Sequence, residues 1–477
     1  MTVSKVLNGY LKSLTTRDRR VIFSALVVAA GFAVSKFTGV LDDFIVARVF
    51  GAGRELDAYY AAFSLPDLLF TLIAGGALAA AFIPVFTGYL ALGNRDGAWR
   101  LASSIINLAF IVTLTAATLA ALIAPWLVRT LIAPCFPPVQ QCFTPVQQSL
   151  TANLMRLILI STAIFSVSGI MMSALQANKH FLLPALAPVM YNLGIVGGAM
   201  FLTRPFTLSA LGLELYFQPI KALGVYGLAV GVVIGAVMHL LVQVPGLIRF
   251  GARWSPGFLF SDPGLRRVLV LLGPRILGLG VVQLTTLVTY SLASRLEPGA
   301  VTGLALAWRL MQMPETIIAT AIGMAVFPTL SELAAQNKLA ELRSMMRKAL
   351  GAILLLNVPA TILLIVLGRS LTGLAFGAQN AGTVAYALQF YALGLVGHSM
   401  LEVAARTFYA QKDTLTPLIV AVGAMLVAVT ASWLLMRPLS YGGLALGNAI
   451  GFTVESGVLV WLMEKRLHDA CRTAITQ

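Results

Sequence analysis

The sequence predicts an all-α polytopic membrane protein with about twelve transmembrane helices. They form two six-helix lobes related by a pseudo-two-fold axis along the membrane normal. Three observations lead there. Of 477 residues, 58% are hydrophobic and only 11% charged, whereas a water-soluble domain carries about 25% charged residues. Apolar runs of roughly 20 residues, each long enough to cross a bilayer, recur from one end to the other. The basic residues alternate in density from loop to loop, as expected of a multi-pass chain. Water-soluble enzymes, collagens, coiled coils and disordered chains are excluded on these grounds.

The first six spans are expected near residues 21–50, 57–90, 103–131, 150–176, 184–202 and 223–247. The second six fall near 268–293, 301–333, 350–367, 383–410, 418–436 and 442–463. Residues 1–20 read as a cytoplasmic amphipathic leader with no cleavable signal peptide. Residues 21–250 form the first lobe, 251–265 a cytoplasmic linker, 266–465 the second lobe and 466–477 a cytoplasmic tail. One set of loops holds 20 Lys and Arg and the other 7, with 6 of the 33 inside spans. The positive-inside rule then places both termini in the cytoplasm. The net charge of +15 is therefore a topology signal, and no nucleic-acid partner is expected. Cys135 and Cys142 share one outer loop, where a small disulfide and two free thiols both suit the spacing.

The halves repeat one another. Ala177-Asn178-Lys179 followed by Pro184 recurs as Ala410-Gln411-Lys412 followed by Pro417. Gly227-Leu228-Ala229-Val230-Gly231 recurs as Gly443-Leu444-Ala445-Leu446-Gly447. Leu65-Pro66-Asp67 has its counterpart in Met313-Pro314-Glu315. Pro66 and Pro314 each remove a backbone hydrogen bond within a span. They are candidate gating hinges or ordinary helix-shaping residues, and Gly39 is a third candidate hinge.

Ionisable groups in hydrocarbon cost at least about 2.5 kcal/mol each, so they face protein or a water-filled cavity. They concentrate in the first, second, seventh and eighth spans, two from each lobe, which would line a central cavity. The candidate substrate-binding residues are Lys36, Arg309, Arg275, Asp57 and Arg48. Arg309 reads as a cavity-facing anion contact or a structural partner of Glu315. Asp43, Arg48, Arg54 and Asp57 lie near the outer end of the first hairpin, where interfacial ion pairs are the plainer reading. His398, Glu402 and Arg406 share one helix face at i, i+4 and i+8. His398, Glu402 and Glu455 form a candidate ion relay, with an intrahelical Glu402–Arg406 pair as the simpler alternative. No metal-ligand spacing or nucleophile–base pair stands out, so no cofactor, metal or enzymatic activity is expected.

One family resembles this pattern. Ser35-Lys36-Phe37-Thr38-Gly39, Ala47-Arg48-Val49-Phe50-Gly51-Ala52-Gly53 and Asp57-Ala58-Tyr59 are similar to the first-hairpin signature of the MurJ/MviN lipid II flippases. The resemblance continues through Ala62-Phe63-Ser64-Leu65-Pro66, Gly273-Pro274-Arg275-Ile276-Leu277-Gly278, Arg309-Leu310-Met311-Gln312-Met313-Pro314 and Phe327-Pro328-Thr329-Leu330-Ser331. It covers most of the chain in collinear order. The resemblance implies a fold of the multidrug/oligosaccharidyl-lipid/polysaccharide exporter superfamily. It also implies translocation of a polyprenyl-diphosphate-linked peptidoglycan precursor, lipid II, from the inner to the outer leaflet by alternating access.

The location implied is the bacterial cytoplasmic membrane. The partners implied are the lipid-linked glycan and membrane lipids, for a monomer working beside cell-wall synthesis proteins. The family usually has arginine at the positions of Lys36, Asp42 and Phe70, and lysine does not reproduce arginine's bidentate grip on phosphate. Those departures keep three other functions in view. One is a flippase for another polyprenyl-diphosphate-linked glycan, and another is a transport-inactive envelope scaffold. The third is a MATE-like cation-coupled drug exporter, which requires an acidic and aromatic pocket in one lobe.

Overall fold

The structure, a computed structural model, describes residues 34–73, 76–135, 142–210, 213–257 and 262–476. Among these residues, nine helices are long and apolar enough to cross a membrane. The pair Ala378–Leu393 and Leu395–Ala410, bent by 46°, makes a further passage. Leu415–Thr476 is two passages, broken at Ser440 (φ 46°, ψ −134°) two residues after Pro438. Together with the helix over 34–50, these account for the expected number of passages. A small antiparallel hairpin pairs Phe206–Ala210 with Leu213–Phe217. Large apolar side chains such as Leu355 and Val366 on Leu339–Phe376 are exposed, which in a membrane span means exposed to lipid.

The internal repeat is visible in backbone geometry. Lys179 and Lys412 adopt φ of 59° and 63°, a left-handed conformation that costs a non-glycine residue roughly 1–2 kcal/mol. Each follows a helix ending at Ala177 or Ala410, and each backbone N–H donates back to the carbonyl of Gln176 or Tyr409. The next helix then carries its proline as third residue, Pro184 or Pro417, where a missing N–H costs nothing.

The glycine patches also correspond. Gly194 and Gly198 cross Gly231 and Gly235 so closely that a β-carbon at any of the four would strike backbone. Gly447 and Gly451 abut Ser432 and Ala428 in the same way. Small residues that let two backbones approach are how membrane helices pack without a hydrophobic drive.

Two prolines mark breaks in the spans that carry them. Pro66 is the third residue of Ser64–Ile73, which is separated from Arg54–Ala62 only by Phe63. Pro314 lies at the end of Ala300–Glu315, where the chain widens into a π-turn, Thr316–Thr320, before continuing as Ala321–Ala335. A missing N–H inside a span is a recognised cause of such widening. The helix over 34–50 runs unbroken through Gly39.

The chain divides into two compact units. The first comprises residues up to Asp42, Ile73–Ala117 and Ile160–Leu272; Phe82, Phe86, Trp99 and Ile170 lie in its core. The second joins Gly273–Gln477 with Asp43–Leu72 and Thr118–Leu159. Its core includes Met346, Ile353, Phe408 and Met463. Within the second unit, the tip of the first hairpin is packed with helices from the far half of the sequence.

Candidate functional site

The second unit holds a clasp and a half-open cation, both built on the helix Ala300–Glu315. The clasp lies at its N-terminus. The first-turn amides of a helix have no partner within the helix, and here a side chain from elsewhere supplies one. Asp57, in the first turn of Arg54–Ala62, is buried. Its carboxylate accepts from the Gly299 N–H at 2.6 Å, the Thr302 N–H at 2.8 Å and the Thr302 hydroxyl at 2.7 Å. Gly299 has φ 95°, and a β-carbon there would sit 3.1 Å from the Ala52 carbonyl, so glycine is needed twice over.

A second fastener closes the turn Gly51-Ala52-Gly53. The Asn380 amide donates to the Ala47 carbonyl at 2.8 Å, and its oxygen accepts from the Ala52 N–H at 2.6 Å. Arg48 lies at this same end, its guanidinium 4.5 Å from the centre of the Phe44 ring.

Arg309 lies two turns further along. Its guanidinium pairs with Asp43 of the helix over 34–50, and Asp43 is buried. The Tyr60 ring lies 5.4 Å from the guanidinium carbon, within cation–π range, and Tyr60 also hydrogen-bonds Asp43. Asp67, an exposed residue, is within electrostatic reach of Arg309. The Arg309 side chain nevertheless remains 46% exposed. Its pairing is therefore with Asp43, not with Glu315. Glu315 is buried and faces His398 at 3.8 Å, with the Thr316 and Thr320 hydroxyls at 3.3 and 3.4 Å.

The other sequence candidates fall elsewhere. Lys36 is exposed in the first unit, one residue after Ser35, whose carbonyl accepts from Asn192 at 3.1 Å. The Asn192 amide also meets the Thr38 hydroxyl at 2.9 Å and would lie 3.5 Å from a β-carbon at Gly39. Arg275 belongs to Pro263–Ala293, and its side chain lies outside the described residues. Glu402 is engaged by Arg406 within one helix. His398 sits between the rings of Trp308 and Phe452, and Glu455 lines a cavity. Glu402 thus stands apart, whereas Trp308 and Phe452, which flank His398, line the same cavity as Glu455. Cys135 and Cys142 are joined by a disulfide.

Asn380 and the Asp43–Tyr60 support of Arg309 escaped sequence reasoning. An asparagine in an apolar run carries no period, and Asp43 looked like one more charge at a span end. Their partners lie 333 and 266 residues away along the chain.

A family model described as lipid II flippase MurJ matches residues 46–476. The chain belongs to the MurJ family. Among its relatives, the lipid II flippase MurJ of Burkholderia cenocepacia is 28% identical over 455 residues, covering 93% of this chain and 84% of that protein. A probable lipid II flippase MurJ of Vibrio cholerae is 27% identical over 458 residues, covering 93% and 83%.

Solved structures agree on the fold. A lipid II flippase MurJ in an inward closed conformation superposes with a TM-score of 0.74 at 21% identity, covering 92% of this chain and 87% of that one. An inward-facing multidrug resistance MATE transporter of the MOP superfamily gives 0.75 at 16% identity, covering 92% and 96%. The MurJ family fold and the exporter superfamily fold are thus the same one here.

Proposed function

We propose that this protein is a flippase that carries lipid II from the inner to the outer leaflet of the bacterial cytoplasmic membrane by alternating access. Both termini lie in the cytoplasm, and residues 21–250 and 266–465 act as the two lobes. It is a transporter and catalyses no bond-making or bond-breaking step.

The half-exposed Arg309 guanidinium carries this reading. A diphosphate needs donors that keep their charge and geometry away from bulk water, and a guanidinium does both. Asp43 and Tyr60 hold Arg309 in one orientation while much of its surface stays accessible. Family membership supplies the substrate class, and the polyprenyl tail remains in lipid while the head group crosses. The Asp57 and Asn380 fasteners lie at the end that the loop charges assign to the outside. Outward opening then requires Asp57 to release the amides of Gly299 and Thr302.

Native mass spectrometry of the purified protein tests this. Lipid II and an unrelated polyprenyl-diphosphate oligosaccharide are offered together to wild type and to Arg309→Ala. Selective retention of lipid II that disappears in the variant is the expected result. Preference for the other glycan would move the substrate and keep the mechanism. Retention that is equal in the variant would remove Arg309 from the site.

A further inference from the structure

One charge beside Arg309 has no task in the flippase reading. Asp67 lies in the first turn of Ser64–Ile73. Its backbone N–H donates to the Phe63 carbonyl at 2.8 Å, so the helical bonding that positions it continues across the break at Phe63. The residue is exposed and within electrostatic reach of Arg309. Tyr290 lies within reach of Asp67, Asp43 and Arg309 together, so these groups share one neighbourhood. Among the described residues, no hydrogen bond or ion pair reaches the Asp67 carboxylate. Thr71, four residues on and therefore on the same helix face, is engaged by the Gln283 amide at 2.8 Å.

A carboxylate within a span is costly, and one left without a partner marks a functional site. Here it also sets an electrostatic problem. Asp43 already matches the charge of Arg309, so Asp67 leaves the three ionised groups one unit negative. A diphosphate diester brings further negative charge and would be repelled by Asp67. A cation that meets both resolves the conflict. Magnesium-class ions seldom occupy all-protein cages; they keep several waters and join one or two carboxylates to substrate phosphates. The described residues have that form. No group of three His, Cys, Asp or Glu able to hold a metal occurs among them, yet one accessible carboxylate stands within reach of an accessible guanidinium. A monocation would cancel Asp67 alone, whereas a divalent ion cancels it and ties it to the phosphates.

We propose that the site takes the lipid diphosphate as its complex with a magnesium-class divalent cation, Asp67 supplying the protein ligand to the metal and Arg309 contacting the phosphate oxygens. The metal arrives and leaves with the substrate, because a single carboxylate offers too few ligands to keep it. Two linked phosphates chelate such an ion and one phosphate does not, so the arrangement selects lipid diphosphates over lipid monophosphates. The inference rests on the reading of Arg309 as a diphosphate contact.

The test is microscale thermophoresis of the full-length protein in phosphatidylcholine nanodiscs with a farnesyl-chain form of lipid II, in magnesium and in EDTA. Wild type is expected to bind at least tenfold more tightly in magnesium. Asp67→Asn, which keeps the shape and removes the charge, is expected to show one Kd in both media and to bind more tightly than wild type in EDTA. Arg309→Ala is expected to weaken binding in both. In a second measurement manganese(II) replaces magnesium. Its free-ion paramagnetic resonance signal is expected to fall further with wild type and lipid together than the two separate losses account for. That readout needs no variant, so it decides even if Asp67→Asn melts early. A wild-type Kd equal in magnesium and EDTA, magnesium dependence that persists in Asp67→Asn, or no additional loss of the manganese signal would overturn the proposal and leave Arg309 as a diphosphate contact. Absence of binding in either medium would remove the flippase site, and this inference with it.

Discussion

The helix Ala300–Glu315 is held at its N-terminus and at its middle by two carboxylates from the first hairpin, and it is held differently at each. At the N-terminus, Asp57 is 1% exposed and is satisfied by two amides and a hydroxyl. Those donors belong to the helix itself, so the charge serves attachment. Two turns into the helix, Asp43 is buried as well, but its partner Arg309 keeps nearly half its side chain accessible. There the buried charge orients a cation that stays accessible. A charge in a membrane span is thus not by itself evidence of a binding site. The kind of donor it meets, and what that donor leaves exposed, separate a fastener from a site.

The largest expected effect breaks the comparison at the exposed end. Arg309→Ala should lower lipid II translocation in proteoliposomes by about 10- to 100-fold, the worth of one charge-assisted contact, and the loss should persist when Asp43→Asn relieves the buried carboxylate that the substitution strands. Arg309→Lys should recover only part of that loss. Equal loss of melting temperature would make Arg309 a fastener like Asp57.

At the buried end the order should reverse. Asp57→Ala strands two amides and a hydroxyl, at a cost of about 2–4 kcal/mol in stability. Faster amide exchange at Thr302 should accompany it, and unchanged exchange would sever the cap from the clasp.

A smaller effect concerns a cap outside the spans. Asp413 accepts from the Thr416 N–H at 3.0 Å and its hydroxyl at 2.8 Å, and pairs with Arg466 at 3.0 Å. Burial raises its carboxyl, yet the Thr416 and Arg466 donors outweigh that and hold it below the usual carboxylate range. Its folded pKa lies below its unfolded one. The contribution is therefore complete above about pH 3.9 and fades as pH falls through the folded value. Asp413→Ala should cost about 1 kcal/mol at pH 6, and thermal scans down to pH 3 should bring variant and wild type together.

The smallest effect tests an ion pair on one helix. Arg406→Ala should cost no more than about 1 kcal/mol, as expected of a partly exposed pair, with translocation retained. Lost translocation at unchanged melting would place Arg406 in the transport path.

What was legible follows the range of the physics involved. The matched turns at Lys179 and Lys412 could be read because helix stop, left-handed residue and following proline lie within eight residues of one another. The glycine patches Gly227–Gly231 and Gly443–Gly447 could be read because they repeat, whereas Gly194 and Gly198, which pack against Gly231, needed the fold. Pro66 and Pro314 could be read as breaks, whereas the π-turn after Pro314 depends on packing around it. The Asp57 clasp and the Asn380 fastener needed the fold, since their partners lie 242 and 333 residues away. Arg309 stood out as a charge in hydrocarbon, and only the fold could name Asp43 as its anchor.

The π-turn over Thr316–Thr320 has a geometric consequence of its own. Each α-helical residue advances about 100° around the axis, so one additional residue in a turn resets the phase of everything that follows. Ala321–Ala335 therefore presents its side chains about a quarter-revolution away from where an unbroken helix would aim them. Deleting a single residue from this turn should leave Arg309 where it is and rotate Phe327 and Pro328 away from their present neighbours. The span is two segments joined through the π-turn, and the number of residues in that turn sets the rotation of one against the other.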